Sequence, residues 1–239
     1  MTQNCIVIVG ASGAIGAALT HRFASAPNAQ VFAFSRSPKT WEQINIEAGR
    51  LDFSDEDSIR QAAKFVAETG PVDRVIVTAG LLHTQTMRPE KALKELESAN
   101  FEACFLANTI GPMLVAKHFL GALSHQRPAV FAALSARVGS ISDNRLGGWY
   151  AYRSSKAALN MALKTASIEM ARRNKQAIVV GLHPGTVASA LSAPFLERVP
   201  PQQLFTPDQA AGHLMNVIEG LRPEDTGKLF AWDGSEIPF

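Results

Sequence analysis

The chain has 239 residues, of which 46% are hydrophobic and 18% charged, and 23 Lys+Arg against 21 Asp+Glu leave a formal charge of +2. It is long enough for one large core and too apolar for disorder. So even a balance, without a basic run, excludes a nucleic-acid backbone or a membrane surface as partner, and no apolar stretch is read as reaching the ~18 residues of a spanning helix.

The first apolar run, residues 5–9, has no cationic segment ahead of it and is too short and β-branched for a signal peptide. Cys5 and Cys104 fall in apolar stretches and read as buried free thiols, so neither a secreted disulfide scaffold nor a zinc module is expected. A cytoplasmic protein without a metal site follows. Strands are predicted at 5–9, 31–35, 74–78, 129–135, 177–182 and 228–232, with a weaker one between 44 and 51. Helices are predicted at 14–25, 55–68, 89–124 with an internal break, 149–174 and 207–221. Ser54-Asp55-Glu56-Asp57 offers a capping box, and Thr206-Pro207 places a cap before a first-turn proline. There are no repeats and no linker. Alternating strands and helices predict an α/β fold, a doubly wound parallel sheet in a single domain over 1–239. Its ligand crevice is expected beyond the carboxyl ends of the strands.

The first strand runs into Val9-Gly10-Ala11-Ser12-Gly13-Ala14-Ile15-Gly16 and then a helical pattern. Gly10 can adopt conformations closed to other residues, Ala14 lets the backbone approach a ligand, and Gly16 lets the helix pack close to the strand. The helix start then offers free N–H groups and its positive dipole end to a pyrophosphate. A methyltransferase or a flavin protein shares this much. The second strand ends Phe34-Ser35-Arg36, with Lys39 close behind and no carboxylate to take ribose hydroxyls. A guanidinium there suits a 2′-phosphate, which points to NADP(H) in preference to NAD(H).

Tyr152 and Lys156 stand four apart at the start of a long helix and share one face. A phenol titrates near ~10, and a neighbouring ammonium is expected to lower that value into a useful acid–base range. Asn108 lies on an apolar helical stripe, four residues before Pro112. Proline has no N–H and collides with the carbonyl at i−4, so the Asn108 carbonyl is freed from the helix ladder.

These motifs together resemble the short-chain dehydrogenases/reductases over essentially the whole chain. Gly10, Ala14 and Gly16 match the family's glycine turn, and Tyr152 and Lys156 its Tyr-x-x-x-Lys pair. Leu51-Asp52-Phe53 resembles the segment whose Asp contacts the adenine, and Thr78-Ala79-Gly80 resembles Asn-Ala-Gly with Thr for Asn. His183-Pro184-Gly185-Thr186-Val187 resembles the segment beside the nicotinamide, Ser189 taking the place of its Thr. The stretches 135–150 and 231–234 are most similar to the C-factor-type branch. The resemblance implies that Gly10, Ser12, Gly13, Ala14, Ile15, Gly16, Ser35, Arg36, Asp52, Ala79, Gly80, Tyr152, Lys156, Pro184, Gly185, Val187 and Ser189 hold the cofactor. It implies that Tyr152 exchanges the proton with the substrate oxygen, that Lys156 tunes it, and that the Asn108 carbonyl holds a relay water.

The family's serine is where this chain departs. Aligning Gly139 puts Ala136 at the usual catalytic hydroxyl, leaving Ser135, Ser140 or no serine in that role; Ser135 is assigned. Strand alternation turns Ser135 to the other face unless the strand end is irregular. Loss of one such donor costs ~2–4 kcal/mol by analogy with an oxyanion hole.

The resemblance implies an NADPH-dependent oxidoreductase that reduces a ketone, aldehyde or quinone. Leu81, Leu82, His83, Leu146, Trp149, Phe195 and Leu196 are the expected pocket, with His83 at its rim. The competing reading is an NADP(H)-binding signalling or redox-sensing protein with weak or no turnover. An S-adenosylmethionine methyltransferase leaves the Tyr152–Lys156 pair and Pro112 unexplained. A homodimer or homotetramer is implied, joined through the helices carrying Asn108 and Tyr152, where Ala157, Ala158, Ala162 and Ala166 would permit close approach.

Overall fold

Apolar β-branched runs without alternation can bury both faces only between two layers of helix. The computed structural model describes residues 4–239; residues 1–3 of the expected domain lie outside the described residues. The strands are β1 (Asn4–Val9), β2 (Ala29–Ser35), β3 (Ile46–Arg50), β4 (Arg74–Val77), β5 (Ala129–Leu134), β6 (Ala177–His183), β7 (Thr186–Val187), β8 (Leu204–Phe205) and β9 (Leu229–Ala231). Seven form one parallel sheet in the order β3-β2-β1-β4-β5-β6-β9. β7 and β8, a two-residue pair, were not foreseen in the sequence.

The helices are α1 (Ala14–Ala24), α2 (Glu56–Ala67), α3 (Ser98–Phe105), α4 (Gly111–Phe119), α5 (Tyr150–Arg173) and α6 (Pro207–Gly220). On one face Leu19, Phe23, Leu214 and Ile218 from α1 and α6 pack on Ile6, Ile8, Val31 and Val180. On the other, Ile59, Val66, Val115, Phe119, Leu159 and Leu163 from α2, α4 and α5 pack on Val7, Val75, Phe131 and Val179. Adjacent β1 and β4 lead their chains to opposite sides of the sheet, so a crevice opens beyond their carboxyl ends.

The structure corrects three expectations about elements. The third helix starts at Ser98, not at 89: residues 89–97 form a loop with one 3₁₀ turn at Leu93–Glu95, and Leu96 and Glu97 are extended. The expected break is a π turn, Leu106–Ile110, where the Gly111 N–H bonds the Leu106 carbonyl one residue further back than in an α-helix. The helical run 98–122 is also long and apolar enough, by length and composition, to cross a bilayer. In this fold it is a core helix, with Cys104, Asn108, Val115 and Phe119 buried. Asp55, rather than Ser54, caps α2 by accepting the Ser58 N–H at 3.3 Å. Thr206 and Gln209 cap α6 reciprocally, at 3.2 and 2.9 Å.

At one edge of the sheet the chain turns back along β9. Ala231 N–H donates to the Ser235 carbonyl and Ile237 N–H to the Leu229 carbonyl, both at 2.8 Å. The other edge is β3, which carries Glu47 and Arg50.

Candidate active site

The glycine turn is built by close approach. Gly10 has φ +92°, and a Cβ there would lie 2.7 Å from the Ala79 nitrogen and the Thr78 hydroxyl. Thr78, standing where the family motif has Asn, donates to the Val9 carbonyl at 3.0 Å or to the Gly10 carbonyl at 3.2 Å. This bond between β4 and the turn was not anticipated. Gly16 meets the Gly10 carbonyl so closely that no side chain fits. α1 begins after Gly13 without a side-chain cap and without an acidic residue in its first turn. Ser12, Gly13 and Ala14 are exposed and Ile15 is half-buried. Uncapped N–H groups beside an open backbone fit a pyrophosphate.

Further along the crevice, Ser35 is buried and its hydroxyl donates to the Ser37 carbonyl at 2.8 Å, while Arg36 is exposed. Asp52 accepts from the Ser54 amide and hydroxyl at 3.0 and 2.7 Å. Those bonds, with Arg50 and Arg36 nearby, hold its carboxyl below the usual range. A guanidinium and a preordered carboxylate beyond the second and third strands fit the adenosine end of a dinucleotide.

Asn108 is fully buried in the π turn and grips the chain after β4: its Oδ1 accepts the Leu81 N–H and its Nδ2 donates to the Leu81 carbonyl, both at 2.8 Å. Nδ2 also reaches the Ser155 hydroxyl at 3.0 Å. Neither Leu81 nor Ser155 was foreseen as a partner, since the bonds span 27 and 47 positions. A Cβ on Gly80 would lie 3.2 Å from Asn108 Oδ1 and 3.6 Å from Lys156 Nζ, so the glycine leaves that corner open. Lys156 Nζ donates to the Leu134 carbonyl at 2.7 Å and lies 5.8 Å from the centre of the Tyr152 ring. Both side chains are almost completely buried.

The titration of this pair differs from the expectation. Burial pushes the Tyr152 phenol well above its ordinary value, with Cys104 adding to the rise. Burial pushes Lys156 down to about 8, partly opposed by Cys104. Desolvation outweighs the expected pull of the ammonium on the phenol. Near neutral pH the site holds a protonated phenol beside a cationic amine.

The Ser135 assignment is not supported by the geometry. Ser135 stands one residue beyond β5, and its buried hydroxyl is taken up by Asn160 Oδ1 at 2.6 Å, on α5 but eight positions after Tyr152. Ser140 is buried too, its hydroxyl accepting the Asp143 N–H at 3.1 Å in a turn. Ala136 instead packs with Leu82 and Tyr152, and Val138, Trp149, Leu191 and Phe195 close around them. Ala136, Val138 and Leu191 were missed as lining because the loops that bring them in leave no periodic signal. Trp149 lies 6.2 Å from the Tyr152 ring and 5.0 Å from that of Phe195, and His83 stands at the rim, bonded to the Ala190 carbonyl at 3.1 Å. Leu146 is 92% exposed and Leu196 half-buried, both outside this cluster.

Beyond β6, Pro184 leads into Gly185 at φ +76°, where a Cβ would strike the Phe205 and Trp232 rings. Val187 is buried, and the Ser189 hydroxyl is 3.2 Å from that of Ser192.

Residues 4–199 match the family described as short chain dehydrogenase. C-signal of Myxococcus xanthus is 36% identical over 72% of this chain and 95% of its own length. An uncharacterized oxidoreductase of Schizosaccharomyces pombe is 26% identical over 100% of this chain and 99% of its own. Among solved structures, the NADPH-bound carbonyl reductase from chicken fatty liver superimposes with a TM-score of 0.86 at 24% identity, covering 100% of this chain and 95% of that one.

Proposed function

Since the chain belongs to the short chain dehydrogenase family of NAD(P)-dependent oxidoreductases, we propose that it is an NADPH-dependent reductase that turns a ketone, aldehyde or quinone into an alcohol. The observation that carries this reading is the buried Tyr152–Lys156 pair beside Gly80 and Asn108, at the carboxyl end of the sheet.

Gly10, Ser12, Gly13, Ala14, Ile15 and Gly16 would hold the pyrophosphate, with Ser35 and Arg36 at the 2′-phosphate and Asp52 at the adenine. Ala79, Gly80, Lys156, Pro184, Gly185, Val187 and Ser189 would enclose the other end. The exposed Arg36 and the absence of an acid at the end of β2 support NADP(H) over NAD(H). Reduced nicotinamide, when bound, supplies the hydride.

The protein's own part is the proton. Tyr152 donates its phenolic proton to the carbonyl oxygen, and the phenolate left behind is stabilised by the Lys156 cation. Raised by burial, the phenol stays protonated near neutrality, the form that reduction needs, and the phenolate that alcohol oxidation needs is scarce there. Asn108 keeps Leu81, and with it Gly80, fixed against the pair.

The test uses purified protein, NADPH and a panel of ketones, aldehydes and quinones. Wild type is expected to oxidise NADPH with at least one of them. Tyr152→Phe should lose at least ~100-fold in kcat, the lower end for a general acid, while NADPH binding is still detected by fluorescence. NADH should bind more weakly than NADPH. Failure to bind either nucleotide would end this reading.

A second reading, an NADP(H)-binding signalling or redox-sensing protein with weak turnover, is favoured by the Ala136 methyl beside Tyr152 and the engagement of Ser135 with Asn160. NADPH binding without turnover across the panel would select it. In either case the proposed partners are a small carbonyl or alcohol and further copies of the chain, in the cytoplasm, without nucleic acid or membrane.

A further inference from the structure

α5 carries the proposed proton donor in its first turn, yet nothing local caps it. Its N-cap residue is Trp149, which offers no acceptor and lies in the left-handed region, with φ 53° and ψ 46°. Gly147 and Gly148 precede it at φ +63° and +66°. Three successive left-handed residues make an unusual approach to a helix, and an indole there is strained in isolation. A side chain from far along the chain does the capping. Glu90 is 3% exposed, and its Oε2 accepts the Ala151 N–H at 3.2 Å across 61 positions. Its main-chain carbonyl accepts the Trp149 N–H at 2.5 Å. Among the described residues no basic side chain pairs with Glu90, so the helix N-terminus is what its carboxylate meets. Arg153, one turn into α5, fastens the other side by donating to the Gly148, Gly147 and Val138 carbonyls at 3.0, 3.2 and 3.2 Å.

We propose that Glu90 is a positioning residue for the reaction, a remote cap that fixes the start of α5 and so sets both the Tyr152 ring and the Trp149 wall beside it. The inference rests on Tyr152 as the proton donor. Glu90 touches neither substrate nor cofactor and acts through Ala151 and Trp149. A buried carboxylate is costly unless it is held by donors, so a glutamate sealed under the site is a specific device and not filler. Its backbone bond also explains why residues 89–97 leave the helical path expected for them: Glu90 must reach α5.

The experiment compares Glu90→Ala, Glu90→Gln and Glu90→Asp in the full chain with NADPH present. Gln retains an acceptor at the right reach, Asp falls one methylene short, and Ala has none. Amide hydrogen exchange at Ala151 and Tyr152 should quicken ~10-fold or more in Ala and Asp and stay near wild type in Gln. With a substrate from the carbonyl panel, kcat should fall ~10-fold in Ala and Asp, as slight misplacement of a reacting group does. NADPH affinity should hold, and Gln should restore kcat to within ~3-fold. Three results would overturn the proposal: unchanged exchange in both Ala and Asp, a lowered Tm with kcat within ~2-fold of wild type, or Gln as impaired as Ala. Should Ala fail to fold, Asp against Gln decides the matter. A wild type without turnover counts against the reductase reading, while the exchange rates still decide whether Glu90 holds the Tyr152 turn.

Discussion

Burial moves Tyr152 and Lys156 in opposite directions, and the pH dependence of the reaction follows from that. Below about 8 Lys156 is a cation and stabilises the phenolate that forms as Tyr152 gives up its proton. As pH rises through that value the amine becomes neutral and the support is lost. Carbonyl reduction at saturating NADPH is therefore expected to be steady from pH 6 to 7.5 and to decline above about 8. Alcohol oxidation, which needs Tyr152 as a base, should instead rise with pH. A pH profile of kcat measured in each direction checks this, and a reduction rate that stays flat to pH 9.5 would contradict it. At this scale the sequence was legible where chemistry depends on local spacing. Tyr152 and Lys156 share a face because they stand one helical turn apart. It was not legible where the partner is distant: nothing near Asn108 names Leu81, and nothing near Trp149 names Glu90.

The elements follow the same division. The β-branched runs and Thr206-Pro207 announced themselves, because burial on two faces and capping are local properties of a sequence. Pro112 announced a break, and the break is the π turn that aims Asn108 at Leu81. The beginning of α3 was misplaced because residues 89–97 have a helical composition, whereas in the fold Glu90 is bonded to the distant start of α5. Directly after the π turn, Gly111 abuts the Phe53 ring so closely that a Cβ has no room. Phe53 follows Asp52, so crowding there should reach the adenine end of the crevice. Gly111→Ala is expected to destabilise the fold by about 1–3 kcal/mol, the usual cost of overpacking, and to weaken NADPH binding. Gly121→Ala, at a site with nothing within 4 Å, should do neither. Urea unfolding and fluorescence titration of the two variants test the difference.

Over the whole molecule, two layers of helix leave the outer surface of the π turn and α5 partly apolar. Leu106 is 38% exposed, Ile110 47%, Met161 68% and Ile168 49%. Exposed apolar side chains on two neighbouring elements are what association with a further copy would cover. A homodimer or larger assembly is expected in sedimentation at micromolar concentration, and Met161→Glu should shift it toward monomer; a wild type that sediments as a monomer would refute this. The margins of the sheet behave differently. Along β9 the backbone groups that a foreign strand would need are already taken by the returning segment 235–237. At β3 the vacant side is five residues long and bears Glu47 and Arg50. Growth of one molecule's sheet onto another's, the first step toward fibrils, is thus closed on one flank and discouraged by charge on the other.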